Sequence, residues 1–425
     1  EKDFKESPLK RYRITGGYPL DGEVRIQGSK NAVLPMMAAA VLQEETVELK
    51  GCPKISDVFC MEKLLQVLGA ETEWERDTLR IRCRRTDGDL SEEKTAGKLR
   101  SSILLLGSLL GRNGYGKIRS PGGCTIGRRP TDLHEMALRS LGAGITRTGT
   151  GITAYAGRLS GTHIRFPKKS VGATENAILA AVCAEGTTVL DGCAAEPEVQ
   201  WLCRFLRSMG ASVEGEASGC VMIRGRKKLH GTTFCVPPDR IAAGTWLMAG
   251  AAVRGNLEFR RAPVKEMQAV LEVYRKMGGQ YRVAGDTLFT DSSRVGKAVP
   301  YVETAGYPGF PTDLQSPLLA AASTLSGRTI VRETVFEDRF AAVRELIKMG
   351  ARAEIRGPVI GMEKSRLKGT RVTAGDLRGG AALVIAALAA EGSTEVEQVQ
   401  YIERGYELFP EQLERLGARI HIIEE

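Results

Sequence analysis

Polar and charged residues recur where helices rich in small residues are predicted to begin. They are Ser29-Lys30-Asn31, Arg100, Ser170-Val171-Gly172, Asp239, Asp313, and Asp376 with Arg378. The first turn of a helix has free N–H groups and the positive end of the helix dipole, so it can bind an anion. Serine and aspartate at these places can also serve only as helix caps. Lysine and arginine oppose the dipole there, so we expect Lys30, Arg100 and Arg378 to have anionic partners.

A second candidate for chemistry is the segment 120–130, which reads Ser-Pro-Gly-Gly-Cys-Thr-Ile-Gly-Arg-Arg-Pro. Its glycines predict a mobile loop that exposes Cys124 beside Arg128 and Arg129. A thiol in an accessible, electropositive setting is a candidate reactive group, whereas a buried cysteine is inert. We therefore expect Cys124 to be reactive and the other cysteines to be packing residues.

The sequence carries no signature of a metal site. The four histidines do not have metal-ligand spacing. His134 follows the Cys124 segment closely, and we interpret it as a packing residue that can border the site. Neither a Walker loop nor a Ser-His-Asp order is visible, so we expect neither a metal nor a cofactor.

A short sequence motif, here called the glycine phrase, recurs six times in the chain and predicts the helices and strands that position these residues. The phrase is Leu-Gly-Ala, Met-Gly-Ala or Met-Gly-Gly, and its central residues are Gly69, Gly142, Gly210, Gly278, Gly350 and Gly417. Subtraction of these numbers gives spacings of 73, 68, 68, 72 and 67 residues. Self-similarity at a nearly fixed period indicates a repeat architecture. Each glycine is predicted to end a helix in the left-handed conformation before a strand begins.

The other half of each repeat contains a helix rich in small residues, followed by a β-branched strand. Alanine runs at 38–40 and 320–322 are examples. A helix that is apolar on nearly all sides is predicted to be buried. Each repeat therefore reads as strand, buried helix, strand, amphipathic helix, glycine turn and hairpin, which predicts an α/β fold.

Length and cysteine usage indicate two domains of three repeats each. A chain of 425 residues exceeds the usual size of one domain. All nine cysteines lie between Cys52 and Cys235, which places a boundary near Val236-Pro237-Pro238. An odd number of cysteines without a Cys-x-x-Cys pair favours reduced thiols, and hence a cytoplasmic protein.

The net charge of +9 favours anionic partners, either nucleic acid or phosphorylated small molecules. Only 6% of the residues are aromatic, which disfavours stacking platforms for single-stranded nucleic acid. No apolar run is long enough to span a bilayer. We expect small anionic substrates, with no nucleic acid and no membrane as partners.

Several motifs resemble those of the UDP-N-acetylglucosamine 1-carboxyvinyltransferase family, in the superfamily of EPSP synthase. They are Gly28-Ser29-Lys30-Asn31-Ala32, the Gly-Gly-Cys124-Thr-Ile-Gly loop with Arg129-Pro130, Phe310-Pro311-Thr312-Asp313, Glu337-Asp338-Arg339-Phe340 and Arg404-Gly405-Tyr406-Glu407. The similarity runs from about Tyr12 to the C-terminus. Within the superfamily the cysteine loop is specific, since the shikimate-pathway enzyme lacks it.

The resemblance implies a two-domain inverse α/β barrel built from six βαβαββ repeats. One domain would span residues 29–237, and the other would combine residues 1–28 with 238–425. The substrates, phosphoenolpyruvate and UDP-N-acetylglucosamine, would bind between the domains, and the Cys124 loop would close as a lid. The enolpyruvyl group would pass to the 3-hydroxyl of the sugar with release of phosphate, the first committed step of peptidoglycan precursor synthesis.

The resemblance also assigns roles to individual residues. Lys30, Arg129 and Arg404 would hold phosphoenolpyruvate, since cationic side chains suit its phosphate and carboxylate. Cys124 would protonate its methylene carbon and react with the epoxide fosfomycin. Asp313 would take or relay the proton of the sugar hydroxyl. The other expected substrate-binding residues are Asn31, Arg100, Pro130, Thr131, Asp132, Leu133, Lys168, Ser170, Val171, Gly172, Val335, Arg339, Asp376 and Arg378.

Four positions depart from the family pattern: Ala195, Trp201, Asp338 and Tyr401. None removes an expected substrate-contacting group, and together they indicate a divergent paralogue. Three alternatives therefore stay open: a catalytically weak UDP-sugar-binding paralogue that acts through regulatory protein partners, a 3-phosphoshikimate 1-carboxyvinyltransferase, and a basic nucleic-acid-binding protein. The cysteine loop argues against the second, and the lack of a recognition motif argues against the third.

Overall fold

The computed structural model describes residues 10–122, 130–226 and 228–424. Cys124 and Arg129, the expected acid and one of the expected phosphate ligands, lie outside the described residues, as does Arg128. The described chain divides into two compact units. One contains residues 10–27 and 238–424, and the other contains residues 28–122 and 130–237.

Twenty-four strands account for the β structure of the described residues. In chain order they are β1 (Lys10–Thr15), β2 (Asp21–Arg25), β3 (Thr46–Lys50), β4 (Glu71–Glu75), β5 (Thr78–Arg82), β6 (Asp89–Leu90), β7 (Tyr115–Arg119), β8 (Gly144–Arg147), β9 (Gly151–Tyr155), β10 (His163–Arg165), β11 (Thr187–Asp191), β12 (Ser212–Glu214), β13 (Cys220–Arg224), β14 (Thr232–Cys235), β15 (Asn256–Arg260), β16 (Gln280–Ala284), β17 (Thr287–Asp291), β18 (Tyr301–Glu303), β19 (Arg328–Arg332), β20 (Arg352–Arg356), β21 (Val359–Glu363), β22 (Arg371–Thr373), β23 (Ser393–Glu397) and β24 (Arg419–Glu424).

Twelve α-helices of the described residues alternate with these strands. They are α1 (Lys30–Ala39), α2 (Ser56–Val67), α3 (Leu104–Asn113), α4 (Asp132–Ser140), α5 (Val171–Ala181), α6 (Pro197–Ser208), α7 (Arg240–Val253), α8 (Gln268–Lys276), α9 (Gln315–Ala322), α10 (Ala341–Lys348), α11 (Leu377–Ala389) and α12 (Phe409–Arg415). Short 3₁₀ turns include Arg100–Ile103 before α3, Thr312–Leu314 before α9 and Val399–Tyr401 before α12. No helix of the described residues combines the length and apolar character needed to cross a membrane.

The repeat predicted from the glycine phrase is visible in every sheet. In the stretch from β10 to β13, the strand order is β10-β11-β13-β12. Strands β10 and β11 run parallel, with His163 opposite Val189, and β13 runs antiparallel to both β11 and β12. A parallel pair needs a crossover connection, and α5 provides it. The sheets β6-β7-β9-β8 and β18-β19-β21-β20 have the same order and pairing, so in these three stretches the chain runs strand, helix, strand, helix and hairpin as predicted. The other three sheets each include a strand that is distant in sequence from the rest.

In each unit, strands that are distant in sequence pair with one another and complete the sheets. In the unit of residues 28–237, the last strand, β14, pairs in parallel with β3, the first strand. In the other unit, β2 pairs in parallel with β15, and β1 lies between β23 and β24. The N-terminal strands thus complete two sheets of the unit formed mainly by residues 238–424.

Helices α1, α3 and α5 supply the centre of one unit, and α7, α9 and α11 supply the centre of the other. Every residue of α9 is buried, as are Ala32–Ala39 of α1 and Leu377–Leu388 of α11. By contrast, strands such as β3 alternate between buried and more exposed residues, as expected for a sheet with one face on the core. The small-residue helices are therefore interior elements, as predicted.

The six repeated glycines all adopt positive φ angles, from 90° to 101°. Each follows a helix and precedes a strand, which confirms the predicted left-handed helix ends. At Gly69 a Cβ atom would also lie 2.9 Å from the carbonyl oxygen of Arg85. Glycine is required there for its conformation and for the close approach of Arg85.

We predict that Gly69→Ala lowers the free energy of unfolding of its unit by about 2 kcal/mol, since left-handed alanine costs roughly 1–2 kcal/mol and the Arg85 carbonyl must shift. The measurement is the melting transition by calorimetry. Gly157→Ala is the control, because the Cβ added there meets no atom within 4 Å. Its effect should stay within about 0.5 kcal/mol. Equal losses in the two variants would contradict the role given to Gly69.

Candidate functional site

The start of α1 carries the first group of predicted site residues. The Ser29 hydroxyl caps the helix by accepting the Ala32 N–H at 3.4 Å. The ammonium of Lys30, in the first turn, lies 2.9 Å from Oδ2 of Asp57. Both side chains are largely buried, and Asp57 belongs to the first turn of α2. The expected anionic partner of Lys30 thus includes an internal carboxylate, which fixes where the ammonium lies.

A second group lies at the start of α4. The Arg100 guanidinium donates to the carbonyl oxygen of Pro130 at 2.9 Å. The hydroxyl of Thr131 donates to Oε1 of Glu135 at 2.9 Å, and Arg147 donates to both side chains. These bonds hold the chain at Thr131 just before α4 begins with Asp132 and Leu133.

A buried hydrogen-bonded link joins α4 to the start of α5. Asn176 bonds Nδ1 of His134 at 3.2 Å through its amide nitrogen, and its oxygen accepts the N–H of Gly107 in α3 at 2.9 Å. The His134 ring also lies against Gly172, where a Cβ atom would be 3.2 Å away. The buried His134 therefore packs between the start of α4 and the start of α5, against Gly172.

Ser170 caps α5 by accepting the N–H of Ala173 at 3.4 Å. Ser170, Val171 and Gly172 are all partly exposed, so a ligand can reach the start of the helix. Lys168 is exposed two residues earlier, between β10 and α5. An exposed lysine next to a helix start is a suitable arrangement for a phosphorylated ligand.

In the other unit, Asp313 lies between two buried arginines. Its Oδ1 is 2.8 Å from Nη2 of Arg339, and its Oδ2 is 3.2 Å from Nη2 of Arg378. The arginine side chains are 4% and 3% exposed, whereas that of Asp313 is 26% exposed. The arginines thus fix a carboxylate that a ligand can still reach. We call these three residues the Asp313 cluster.

The arginines of the Asp313 cluster have further donors for a ligand. Nε of Arg339 and Nη1 of Arg378 are buried and have no hydrogen-bond acceptor among the described residues. Burial lowers the pKa of the Arg378 guanidinium, but Tyr406, Asp313 and Asp239 raise it by more, so the pKa lies above its ordinary value. A buried, charged donor next to a carboxylate suits an oxyanion or a hydroxyl group.

Of the three aspartates that the sequence predicts at helix starts, two cap a helix and one does not. Asp239 accepts the N–H groups of Ile241 and Ala242, and Asp376 accepts those of Arg378 and Gly379. Asp313 caps no helix, since the 3₁₀ turn that contains it has no side-chain cap. The anionic partner expected for Arg378 is therefore the Asp313 carboxylate.

Glu333 links the Asp313 cluster to Val335. Its Oε1 accepts the N–H groups of Val335 and Phe336 at 2.8 and 3.1 Å. Its Oε2 accepts the hydroxyl of Thr312 at 2.8 Å, and that hydroxyl accepts a bond from Arg339 at 2.9 Å. The backbone at Val335, a residue that is exposed, is thus held by the same carboxylate that bonds the partner of Arg339.

Arg404 belongs to a turn, residues 404–407, that packs under the start of α11. A Cβ atom at Gly405 would lie 2.7 Å from Leu377, so glycine permits the close approach. The ring of Tyr406 lies 5.3 Å from the guanidinium carbon of Arg378, and its hydroxyl bonds Thr245 at 2.8 Å. The turn is therefore part of the same buried region as the Asp313 cluster. We call it the Arg404 turn.

These groups can bind anions and accept a proton from a hydroxyl group. Cations lie at Lys30, Arg100, Arg339, Arg378 and Arg404, and Asp313 is the accessible carboxylate. No group of metal-ligating side chains that could hold an ion occurs in the described part of the chain. In each unit taken by itself, these cations suit an anionic ligand, and in the unit of residues 10–27 and 238–424 the Asp313 carboxylate can also accept a hydroxyl proton.

The comparisons with known proteins agree with this chemistry. The model of the family described as EPSP synthase (3-phosphoshikimate 1-carboxyvinyltransferase) matches residues 14–413. The chain belongs to the EPSP synthase family. It is 42% identical to the UDP-N-acetylglucosamine 1-carboxyvinyltransferase of Koribacter versatilis, over 98% of this chain and 97% of that protein. It is 39% identical to UDP-N-acetylglucosamine 1-carboxyvinyltransferase 2 of Caldanaerobacter subterraneus, over 96% and 99% of the two chains.

Solved structures of the family share the fold. The enolpyruvyl transferase NikO from Streptomyces tendae superposes with a TM-score of 0.89 at 25% identity, over 98% of this chain and all of that one (100%). An EPSP synthase from Acinetobacter baumannii, at 20% identity, superposes with a TM-score of 0.75 over 98% and 100% of the two chains. These matches confirm the predicted enolpyruvyl transferase fold and the family resemblance. This member of the EPSP synthase family is an enzyme.

Several residues that support the site were not found by sequence analysis. Asp57 lies 27 residues from Lys30, and Asn176 lies 42 residues from His134. Glu333 lies 21 residues from Thr312, although it also accepts the N–H of Val335 only two residues away. Asp57 lies in the first turn of a helix, where a capping role is the ordinary interpretation. The sequence position of Asp57 does not indicate its ion pair with Lys30.

Glu175 was also missed, although it lies only three residues after Gly172, the last residue of this segment predicted to bind the nucleotide sugar. Its side chain is buried in α5, and Oε1 has no hydrogen-bond partner among the described residues. Burial raises the pKa of this carboxyl well above 4.5, and the nearby Glu198 and Glu196 carboxylates raise it further. The folded protein therefore favours the protonated form of Glu175.

This shift predicts how stability depends on pH. Because the folded state raises the pKa, wild-type stability falls as the pH increases from the ordinary value of 4.5 towards the folded value. Glu175→Gln should remove that loss. Its advantage in free energy of unfolding should grow with pH by up to about 1.4 kcal/mol per pH unit. Melting temperatures at pH 5 and pH 8 measure the effect.

Glu71→Gln in β4 is the matched control, because Glu71 is an exposed carboxylate of the same unit. Its difference from wild type should be the same at both pH values. A Glu175→Gln variant that behaves like this control would show that Glu175 is ionised in the folded protein.

Proposed function

We propose that this enzyme transfers the enolpyruvyl group of phosphoenolpyruvate to the 3-hydroxyl of UDP-N-acetylglucosamine and releases phosphate. The observation that carries the proposal is the 42% identity, over 98% of the chain, to an enzyme named for that activity. The sequence motifs had pointed to the same reaction. The Asp313 cluster, with an accessible carboxylate and buried cations, supplies chemistry that the reaction requires.

The reaction takes place in two steps. In the first, the sugar oxygen bonds to C2 of phosphoenolpyruvate, C3 gains a proton, and the sugar hydroxyl loses one. In the second, C3 loses a proton and the bond from C2 to the phosphate oxygen breaks, which leaves the enolpyruvyl ether and inorganic phosphate. The enzyme must therefore supply an acid at C3, a base at the sugar hydroxyl, and cations for the phosphate and carboxylate.

Lys30, Arg129 and Arg404 are our candidates for binding phosphoenolpyruvate. Asp57 supports this role for Lys30, since it holds the ammonium in one position at the start of α1. The turn that contains Arg404 is packed against α11 and is similarly constrained. Cations that are fixed before the substrate arrives stabilise developing charge without the cost of rearrangement.

Cys124 is our candidate for the acid at C3. A free thiol has a pKa near about 8.5, so it can hold a proton at neutral pH and release it to carbon. Asp313 is our candidate for the group that accepts or relays the proton of the sugar hydroxyl. Two arginines fix its orientation, and part of its side chain is accessible.

The remaining predicted residues are candidates for the nucleotide sugar. Asn31, Arg100, residues 130–133, Lys168 and residues 170–172 belong to one unit, and Val335, Arg339, Asp376 and Arg378 belong to the other. The link through His134 and Asn176 supports a joint role for residues 131–133 and 170–172. Regulatory protein partners and the cytoplasmic location stay predictions.

An assay of phosphate release with both substrates tests the proposal. Release should require phosphoenolpyruvate and UDP-N-acetylglucosamine together. Release with shikimate 3-phosphate in place of the nucleotide sugar would favour the alternative transferase. Binding of the nucleotide sugar without any phosphate release would favour the regulatory paralogue.

We predict that Cys124→Ala lowers kcat for phosphate release by about 10²–10⁴-fold, the usual contribution of a positioned acid. Cys235→Ala is the matched control, because Cys235 is an exposed, free thiol. Its kcat should stay within about twofold of wild type. Similar losses in both variants would contradict the assignment of Cys124.

Labelling by fosfomycin, measured by peptide mass, should modify Cys124 and leave Cys235 unmodified. The partly buried Cys183 and the buried Cys193 should also stay unmodified, since desolvation raises the pKa of each thiol to about 11. Thiolates are the nucleophilic form, so these side chains are poor targets.

We further predict that Asp313→Asn lowers kcat by about 10²–10⁴-fold, because the amide keeps the shape of the side chain but cannot accept the hydroxyl proton. Asp338→Asn is the control. Asp338 is more than half exposed and lies 3.6 Å from Arg344. Steady-state kinetics should show a normal kcat for this variant, and a comparable loss in both would argue against Asp313 as the proton acceptor.

A further inference from the structure

The amide of Gln27 makes two hydrogen bonds to the backbone of the Arg404 turn. Its Nε2 donates to the carbonyl oxygen of Gly405 at 3.0 Å, and its Oε1 accepts the N–H of Glu407 at 2.8 Å. All three residues belong to the unit that contains residues 238–424. One side chain thus bonds the backbone on both sides of Tyr406.

The backbone of Gln27 is itself held in place by a hydrogen bond. Its carbonyl oxygen accepts the N–H of Asp239 at 2.9 Å. Asp239 in turn caps α7 by accepting the N–H groups of Ile241 and Ala242 at 2.8 and 3.0 Å. The position of the Gln27 amide is therefore fixed relative to a buried helix, and it can act as a rigid anchor for the turn.

The Arg404 turn needs such an anchor, because its next residue is strained. Leu408 has a φ of 47°, and its side chain is 57% exposed. A left-handed leucine is strained and persists only where the surroundings impose it. The bonds from Gln27, together with that from the Gln412 amide to the Glu407 carbonyl at 2.9 Å, impose this path.

We propose that Gln27 is a positioning residue for phosphoenolpyruvate, acting through the Arg404 turn. The inference rests on the proposed function, in which Arg404 binds this substrate. Gln27 fixes the peptide groups on either side of Tyr406, which begin one residue after Arg404, so it limits where the arginine can place its guanidinium. Lys30, the other described candidate for this substrate, follows Gln27 by only three residues in the sequence.

The test is Gln27→Leu, which has a similar size but makes neither bond. We expect the KM for phosphoenolpyruvate to rise about tenfold, as for the loss of one or two net hydrogen bonds. The KM for UDP-N-acetylglucosamine should change by less than about twofold. Gln27→Glu, which keeps the acceptor for the Glu407 N–H, should have an intermediate effect.

Gln268→Leu is the matched control. Gln268 lies in the same unit and also donates to a backbone carbonyl, that of Val264 at 2.7 Å. Both KM values of this variant should stay at the wild-type level. An unchanged KM for phosphoenolpyruvate in Gln27→Leu, or an equal rise in both KM values, would overturn the proposal.

Hydrogen exchange at the Glu407 amide separates this inference from the proposed function. Exchange there should be faster in Gln27→Leu than in wild type and unchanged in Gln268→Leu. If wild type releases no phosphate, the proposed function fails, and calorimetric binding of phosphoenolpyruvate replaces KM as the readout. Equal binding and equal exchange in wild type and Gln27→Leu would then refute the role of Gln27.

Discussion

A helix that is buried along its length can carry accessible polar side chains only at its ends. This constraint governs where functional groups occur in the protein. Helices α1 and α11 are apolar and buried beyond their first residues, and in α5 the polar Glu175 and Asn176 are buried, so the accessible polar groups are concentrated at the helix starts. The free N–H groups there need acceptors, which Ser29, Ser170 and Asp376 provide. The residues that cap these buried helices therefore lie where an anion can bind.

Cations at these helix starts are stabilised by carboxylates from other elements. A buried charge without a partner is expensive, so Lys30 is paired with Asp57, and Arg378 with Asp313. Each pairing also orients the cation. The Asp313 cluster also contains buried guanidinium N–H groups that have no acceptor among the described residues. Such donors are costly unless a ligand uses them, which suits a site that is completed by its substrate.

The repeats explain how such distant residues come together within each unit. In four of the six sheets of the described residues, a buried helix (α3, α5, α9 or α11) connects two parallel strands, so these helix starts recur at equivalent positions. In one unit β14 pairs with β3, and in the other β1 pairs with β23 and β2 pairs with β15. These pairings join the two ends of the sequence in each set of three sheets. Residues that are far apart in the chain, such as Gln27 and Gly405, meet as a result.

The sequence by itself determined the six repeats, the left-handed glycines, the buried small-residue helices and the family. These features depend on local composition and on spacing, which a linear pattern records. It also located the helix starts where Lys30, Ser170, Asp313 and Arg378 lie. Only the tertiary structure decided their partners. Asp57 lies 27 residues from Lys30, and Asp313 lies 65 residues from Arg378. The choice between a capping aspartate, as at Asp239, and one paired with arginines, as at Asp313, depends on which side chains the packing of other repeats brings near. No local periodicity encodes that.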